Sequence, residues 1–163
     1  MILFISEIDM NDHILKAYKG EIYGIAFFEH FSHHYSDKNH EQLWNALVEV
    51  EKLTAKLLLK YLRQSKEQIQ YDSNEIKQNG IRDAEKWINL PWLELISTLI
   101  VWVKPYEEKY ISWATKANNG LAIFNIIADH ETAILLSLKN EEHGVSGISY
   151  LTSYIELYSN IKI

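Results

Sequence analysis

Three glutamates occupy positions where an amphipathic helix buries its apolar side. Glu21, Glu51 and Glu131 each fall on the hydrophobic stripe of a long helical pattern, and Glu156 lies beside the stripe of the last pattern in the chain. A carboxylate in an apolar interior costs several kcal/mol unless it is protonated, paired or bound to a metal ion. We therefore take these four acids as candidate ligands of a cation, or as acceptors for buried hydroxyl, indole or ammonium donors.

The composition restricts what such a site can be. The 163 residues include no cysteine, which excludes disulfides, thiolate metal sites and cysteine nucleophiles, so a metal would need oxygen and imidazole ligands. The net charge is −6 with basic residues scattered singly, so we expect no nucleic-acid partner. A glycine-rich phosphate loop, Gly-x-Ser-x-Gly and His-Glu-x-x-His are all missing from the sequence.

The positioning elements are predicted to be helices almost throughout, since two prolines and six glycines are too few for a turn-rich β fold. Apolar residues at helical spacing predict a first hairpin over residues 12–64, with Asp12 as the N-cap of a helix that reaches about Tyr35, followed by a second helix over 40–64. A second hairpin over 120–163 has helices from Leu121 to about Asn140 and from Val145 onward.

The segment 65–119 is predicted to be an insertion between the hairpins. It begins with a polar excursion to Gly80 of at most one or two helical turns, followed by a short helix over 81–88. A further helix has Pro91 in its first turn and ends near Val103, before Pro105. Another helical stretch covers 106–117, and Asn118-Asn119-Gly120 is predicted to end it.

Three short motifs carry a family resemblance: Gly20-Glu21 followed by Phe27-Phe28, then Val50-Glu51, and Asp129-His130-Glu131. With these the chain resembles the ferritin-like superfamily, in particular the rubrerythrin and bacterioferritin type. The resemblance implies one all-α domain over 1–163, an up-down four-helix bundle with extra helices between its hairpins. It also implies that Glu21, Glu51, Glu131 and Glu156 meet in the core and bind iron or another divalent metal.

The chain departs from the family at both histidine positions. Family members carry Glu-x-x-His on the second and fourth helices, whereas Thr54 follows Glu51 and Ser159 follows Glu156 at that spacing. His30, His33, His34 and His40 cluster at a polar helix end, where we expect a solvated surface. Since His130 points about 100 degrees from Glu131, a contact with a carboxylate stays open for it, but we expect it to pack or face water. These positions predict a site of almost only oxygen ligands.

Two functions from different classes stay open. One is a bundle that has lost di-iron oxidase activity and acts as a binding or interaction module, and the other is a divergent carboxylate-bridged di-metal protein, an oxidoreductase or metal-binding protein. Whether the chain is an enzyme is left open. An apolar small ligand in the tryptophan-rich region, with Trp87, Trp92, Trp102 and Trp113, and a second copy of the chain are compatible partners.

A membrane partner is not expected. The apolar start Met1–Ile5 lacks a basic flank and is followed by Glu7 and Asp9, unlike a signal peptide. The longest apolar stretch, Leu95–Val103, is far shorter than the ~20 residues that span a bilayer. We therefore expect a cytoplasmic protein.

Overall fold

The structure, a computed structural model, describes residues 7–65, 69–117 and 121–162. The regular structure in these ranges is entirely helical, which confirms the all-α prediction, while the expectations for Met1–Ile5 and Asn118-Asn119-Gly120 lie outside the described residues. None of the helices in these ranges is both long and apolar enough to cross a membrane. The α-helices are α1 (Glu7–His34), α2 (Glu41–Gln64), α3 (Ser73–Glu85), α4 (Trp92–Lys116), α5 (Leu121–Glu142) and α6 (Ile148–Tyr158), with a 3-10 turn at Lys38–His40 before α2.

The first two helices form an antiparallel pair. Asp37 starts the turn between them by accepting a hydrogen bond from the backbone N–H of Asn39. Across the pair, Ser32 donates to Asn45 at 2.6 Å, and Lys52 lies 2.9 Å from Glu29, nearer the middle of α1. Increasing residue numbers on α2 therefore meet decreasing numbers on α1, as the short connection predicted.

Much of the segment expected to be a polar excursion forms a helix, α3. Its 13 residues begin at Ser73, because the Asp72 carboxylate accepts hydrogen bonds from the backbone N–H groups of Asn74 and Glu75. The helix runs through Gly80, which has no side chain to keep α3 away from α1: a Cβ there would lie 2.6 Å from the carbonyl oxygen of Tyr23. Gly80, where the polar excursion was expected to end, is a point of close helix packing.

Helix α4 corrects the expected stop before Pro105. It continues unbroken from Trp92 to Lys116 with this proline inside it. Proline cannot donate to the carbonyl four residues earlier, but that residue is Val101, which is 74% exposed, so water can satisfy the oxygen. The buried Val103 and Tyr110 on either side hold the helix against the core.

The long partner of α5 is α4, from the segment expected to be an insertion. Ser97 donates to Glu142 at 2.8 Å at one end, and Thr132 donates to Glu107 at 3.3 Å nearer the other, so the helices are antiparallel. The shorter α6 also packs on α5 and on α2.

Aromatic rings join α1 to α4. Phe27 and Trp102 have ring centroids 4.6 Å apart, and Tyr35 and Trp92 have centroids 6.0 Å apart. Because Tyr35 directly follows α1 and Trp92 begins α4, the end of α1 meets the start of α4, so these helices are also antiparallel. The four longest helices thereby face a common core, whose largest fully buried side chains include Trp44, Phe27, Phe28, Phe31 and Phe124.

Candidate metal centre

Three buried side chains from three helices meet in this core. Nε2 of His130 on α5 lies 3.1 Å from Oε2 of Glu21 on α1 and 3.2 Å from Oε2 of Glu51 on α2. The three residues are only 1%, 1% and 5% exposed, respectively. One possible ligand atom from each lies within 4.8 Å of the other two, a spacing suited to one metal ion.

Gly24 makes room for this group. It lies on α1 one turn after Glu21, and a Cβ at its position would be 2.6 Å from the carboxyl carbon of Glu51. The Glu51 carboxyl group therefore occupies the space that any larger residue would fill. A glycine inside a helix costs about 1 kcal/mol relative to alanine, so this position gives up helix stability and admits the carboxyl group.

The electrostatics of the group are dominated by burial. Burial, reinforced by the neighbouring Glu51, raises the pKa of Glu21 well above its ordinary value, although His130 acts in the opposite direction. Burial would lower the pKa of His130, but the adjacent Glu21 and Glu51 outweigh it and the pKa is raised well above 6.5. Without a metal, the group therefore favours a neutral Glu21 carboxyl group and a charged imidazole.

The hydrogen bonding leaves one carboxyl oxygen without a directed donor. Nε2 of His130 carries one hydrogen, which is directed to Glu51, and Oε2 of Glu21 has no hydrogen-bond partner among the described residues despite its 3.1 Å distance. A buried acceptor without a donor is uncommon and costly. A cation among the three atoms would use this lone pair.

The four glutamates predicted as ligands end in different places. Glu21 and Glu51 meet, as their positions on the apolar stripes suggested. Glu131 lines the cavity beside them without entering the close group, and burial raises its pKa to about 7 against the opposing charge of His130. Glu156 is exposed on α6 and does not join the group.

His130 is packed in the core against two carboxyl groups, a contact that was left open for it, and it corrects the expectation of an almost all-oxygen group there. A sequence signal for it existed, because His130 lies three residues after Ile127 and four before Ile134, both of which are buried. The helical spacing that selected Glu131 as a buried residue therefore also fits His130.

Thr54, at the position where the resemblance implied a histidine, makes a structural contact. Its Oγ1 lies 2.7 Å from the hydroxyl of Tyr154 and donates to the carbonyl oxygen of Val50 at 2.8 Å. The Tyr154 ring in turn lies 6.2 Å from the His130 ring, centroid to centroid. Helix α6 thus supports the site with a tyrosine.

The other candidate histidines lie away from this group. His33 and His34 are exposed, as predicted. His30 and His40 are half-buried instead: Nε2 of His30 lies 2.5 Å from Glu85, and His40 stacks on Trp92 with 3.3 Å between ring centroids.

A cavity of about 310 Å³ adjoins Glu21, Glu51 and His130. Its rim includes Tyr106, which is 41% exposed, and Gly20, which is also exposed. Of the four tryptophans in the predicted insertion, Trp102 lines this cavity. The apolar wall also includes Tyr23, Phe28, Val103, Tyr110 and Ile134.

Comparison with known proteins gave no significant match to a family model, a curated protein or a solved structure. Function is therefore argued from the residues and their geometry. The buried group of two carboxyls and one imidazole, open to a cavity, is the feature from which that argument starts.

Proposed function

We propose that this protein binds one divalent transition-metal ion through Glu21, Glu51 and His130. The observation that carries the proposal is the convergence of three buried ligand atoms within 4.8 Å. Two carboxylates balance the charge of a divalent ion, and the mixture of oxygen and imidazole favours Mn(II), Fe(II), Co(II) or Zn(II) over Mg(II) or Ca(II). Three protein ligands leave a further coordination position for water or a small molecule.

The fold we infer is a divergent ferritin-like bundle in which α1, α2, α4 and α5 are the four helices. The antiparallel contacts between α1 and α2, α1 and α4, and α4 and α5 support this order, and α3 then lies in the long connection. In this arrangement His130 takes the place of the histidine in the fourth helix's Glu-x-x-His motif, with Ile127 in place of its glutamate. Tyr110 of α4 lines the cavity that a third-helix glutamate would face.

This assignment favours one metal over two. A di-iron site of the family type takes a glutamate from each of four helices and a histidine from each of two. Here Glu21, Glu51 and His130 remain, while Thr54 and Ile127 stand at two other ligand positions and neither is a metal ligand. The proposal is therefore a metal-binding protein that has lost di-iron oxidase chemistry.

Metal analysis tests the proposal directly. Protein stripped of metal and then dialysed against Mn(II), Fe(II) under argon, or Zn(II) should retain about one equivalent of at least one of these ions. The double variant Glu21→Gln with Glu51→Gln should bind that ion at least ~100-fold more weakly, because the neutral amides no longer balance its charge. A metal at 100 times its Kd should also raise the free energy of unfolding by about 2.7 kcal/mol.

Glu156→Gln is the matched control, since it removes an exposed carboxylate of the same type. It should retain the wild-type stoichiometry and affinity. The proposal fails if wild-type protein holds no stoichiometric metal, or if Glu156→Gln loses as much affinity as the core double variant.

Gly24→Ala should weaken the binding of the metal ion at least tenfold while the helices remain folded. The new Cβ would fall 2.6 Å from the Glu51 carboxyl carbon, so this carboxyl group has to leave its position beside His130. Competitive titration with a chelating dye measures the change. Gly20→Ala is the control, because its Cβ would have only Tyr110 Oη nearby, at 3.6 Å; equal affinities for the two variants would contradict this role of Gly24.

The charges of the metal-free group favour a second candidate function. A neutral Glu21 beside an imidazolium and the Glu51 carboxyl group would balance the charges of the group without a cation. The protein would then be a non-enzymatic binding module that has kept the bundle and lost the metal. The same metal analysis separates the candidates, because this function requires wild-type protein to remain free of stoichiometric metal.

A further inference from the structure

The cavity beside the three ligands has the size of a small-molecule site. A cavity of about 150 Å³ lined by Leu, Ile and Phe can bind benzene, and the cavity here is about 310 Å³. It therefore has room for roughly two fused rings, or one ring with a short substituent. It lies at the lower end of the volumes typical of ligand pockets.

The walls favour an aromatic occupant. Five aromatic side chains from α1 and α4 line the cavity, together with aliphatic groups of α3, α4 and α5. Aromatic rings pack edge-to-face or offset against one another and gain about 0.5–1.5 kcal/mol beyond the burial of their area. The five rings belong to Tyr23, Phe28, Trp102, Tyr106 and Tyr110.

The polar groups sit together and mostly accept hydrogen bonds. Carboxyl groups of Glu21, Glu51 and Glu131 line the cavity with His130, so the acceptor oxygens of an anionic ligand would face other acceptor oxygens there. Nε2 of His130 already lies within 3.2 Å of two of these carboxyl groups, so an ammonium ligand would have to compete with the imidazole for them, whereas a metal ion could also be bound by Nε2. A neutral N–H or O–H group meets neither obstacle and finds acceptors.

We propose that this cavity binds a neutral aromatic molecule of one or two rings that carries an N–H or O–H group. The inference goes beyond metal binding and depends only on the walls and acceptors of the cavity. It assigns to the protein a ligand class that the three metal ligands alone do not indicate.

Calorimetric titration with indole tests the proposal, with indene as the matched molecule that lacks the N–H. We expect saturable 1:1 binding of indole, at least fivefold weaker binding of indene, and at least tenfold weaker binding of indole-3-carboxylate and of tryptamine. No saturable binding of indole, or tighter binding of either charged analogue, would overturn the proposal.

A cavity-filling variant locates the ligand. Gly20 lines the cavity with only Tyr110 Oη near its would-be Cβ, so Gly20→Leu extends a side chain into the space without meeting backbone. It should weaken the binding of indole at least tenfold, whereas Lys56→Leu, at an exposed position of α2, should remain within threefold of wild type. If Gly20→Leu fails to fold, Val103→Phe narrows the cavity from α4 instead; wild-type affinity in the folded filling variant would refute this location.

Both titrations are repeated with chelator present and with the metal that the protein retains. Indole binding in chelator supports the cavity site even if no metal is ever bound. Metal binding without indole binding overturns this inference and leaves the proposed metal centre standing.

Discussion

Replacing His130 by leucine should lower the free energy of unfolding of the metal-free protein by about 3 kcal/mol or more. Leucine fills similar space but cannot donate to Glu51, which accepts from Nε2 at 3.2 Å in a site that is 5% exposed. Removing one partner of a buried ion pair leaves the other desolvated and uncompensated, which costs about 3–5 kcal/mol. Urea unfolding in the presence of a chelator, followed by circular dichroism, measures the loss.

The matched control is Ser137→Ala on the same helix. Ser137 is fully buried, and its hydroxyl lacks a hydrogen-bond partner among the described residues. Removing it should leave stability unchanged or slightly increased, because no hydrogen bond is lost. A loss below 1 kcal/mol for His130→Leu would show that the imidazole contributes little to the metal-free core.

Gly80→Ala should destabilise the protein by about 2 kcal/mol. The new Cβ would lie 2.6 Å from the backbone oxygen of Tyr23 and 3.2 Å from the backbone nitrogen of Phe27, so α3 has to move away from α1. Overpacking of this kind typically costs 1–3 kcal/mol, even though alanine is the better helix former by about 1 kcal/mol. Chemical denaturation gives the difference.

An alanine at an exposed position of the same helix separates packing from helix propensity. Gln78→Ala lies two residues earlier on the exposed side of α3 and should change stability by less than about 0.5 kcal/mol. If Gly80→Ala were instead stabilising, helix propensity would dominate and the close packing of α3 on α1 would be wrong. Because Ile76 and Asn79 of α3 line the cavity, Gly80→Ala should also weaken the binding of indole.

Part of the site was predictable from the sequence because its residues break a local rule. Glu21 and Glu51 stand on apolar stripes, and the structure buries both to within 5% exposure. Glu156 lies beside the apolar stripe of its helix and not on it. On the short helix α6 this position is exposed. In both cases the periodicity of one helix was enough to place the residue.

The third member of the buried group could not be chosen in this way. Helix α5 packs against α2, α4 and α6, so a wide part of its surface is covered and no narrow stripe separates His130 from Glu131. His130 faces Glu21 and Glu51 because α2 covers that side of α5. The choice between adjacent residues therefore depends on which helix lies where, information that a spacing of 3.6 residues does not contain.

By itself the sequence determined an all-helical chain, a site without thiolates, and two buried carboxyl groups, because composition and helical periodicity act within a single element. The tertiary structure decided that α4 pairs with α5, that Pro105 is tolerated on an exposed face, that Gly80 and Gly24 are points of close approach, and that His130 joins the two buried carboxyl groups. Each of these depends on contacts between residues far apart in the chain. Local propensity is then overridden by what packs against it.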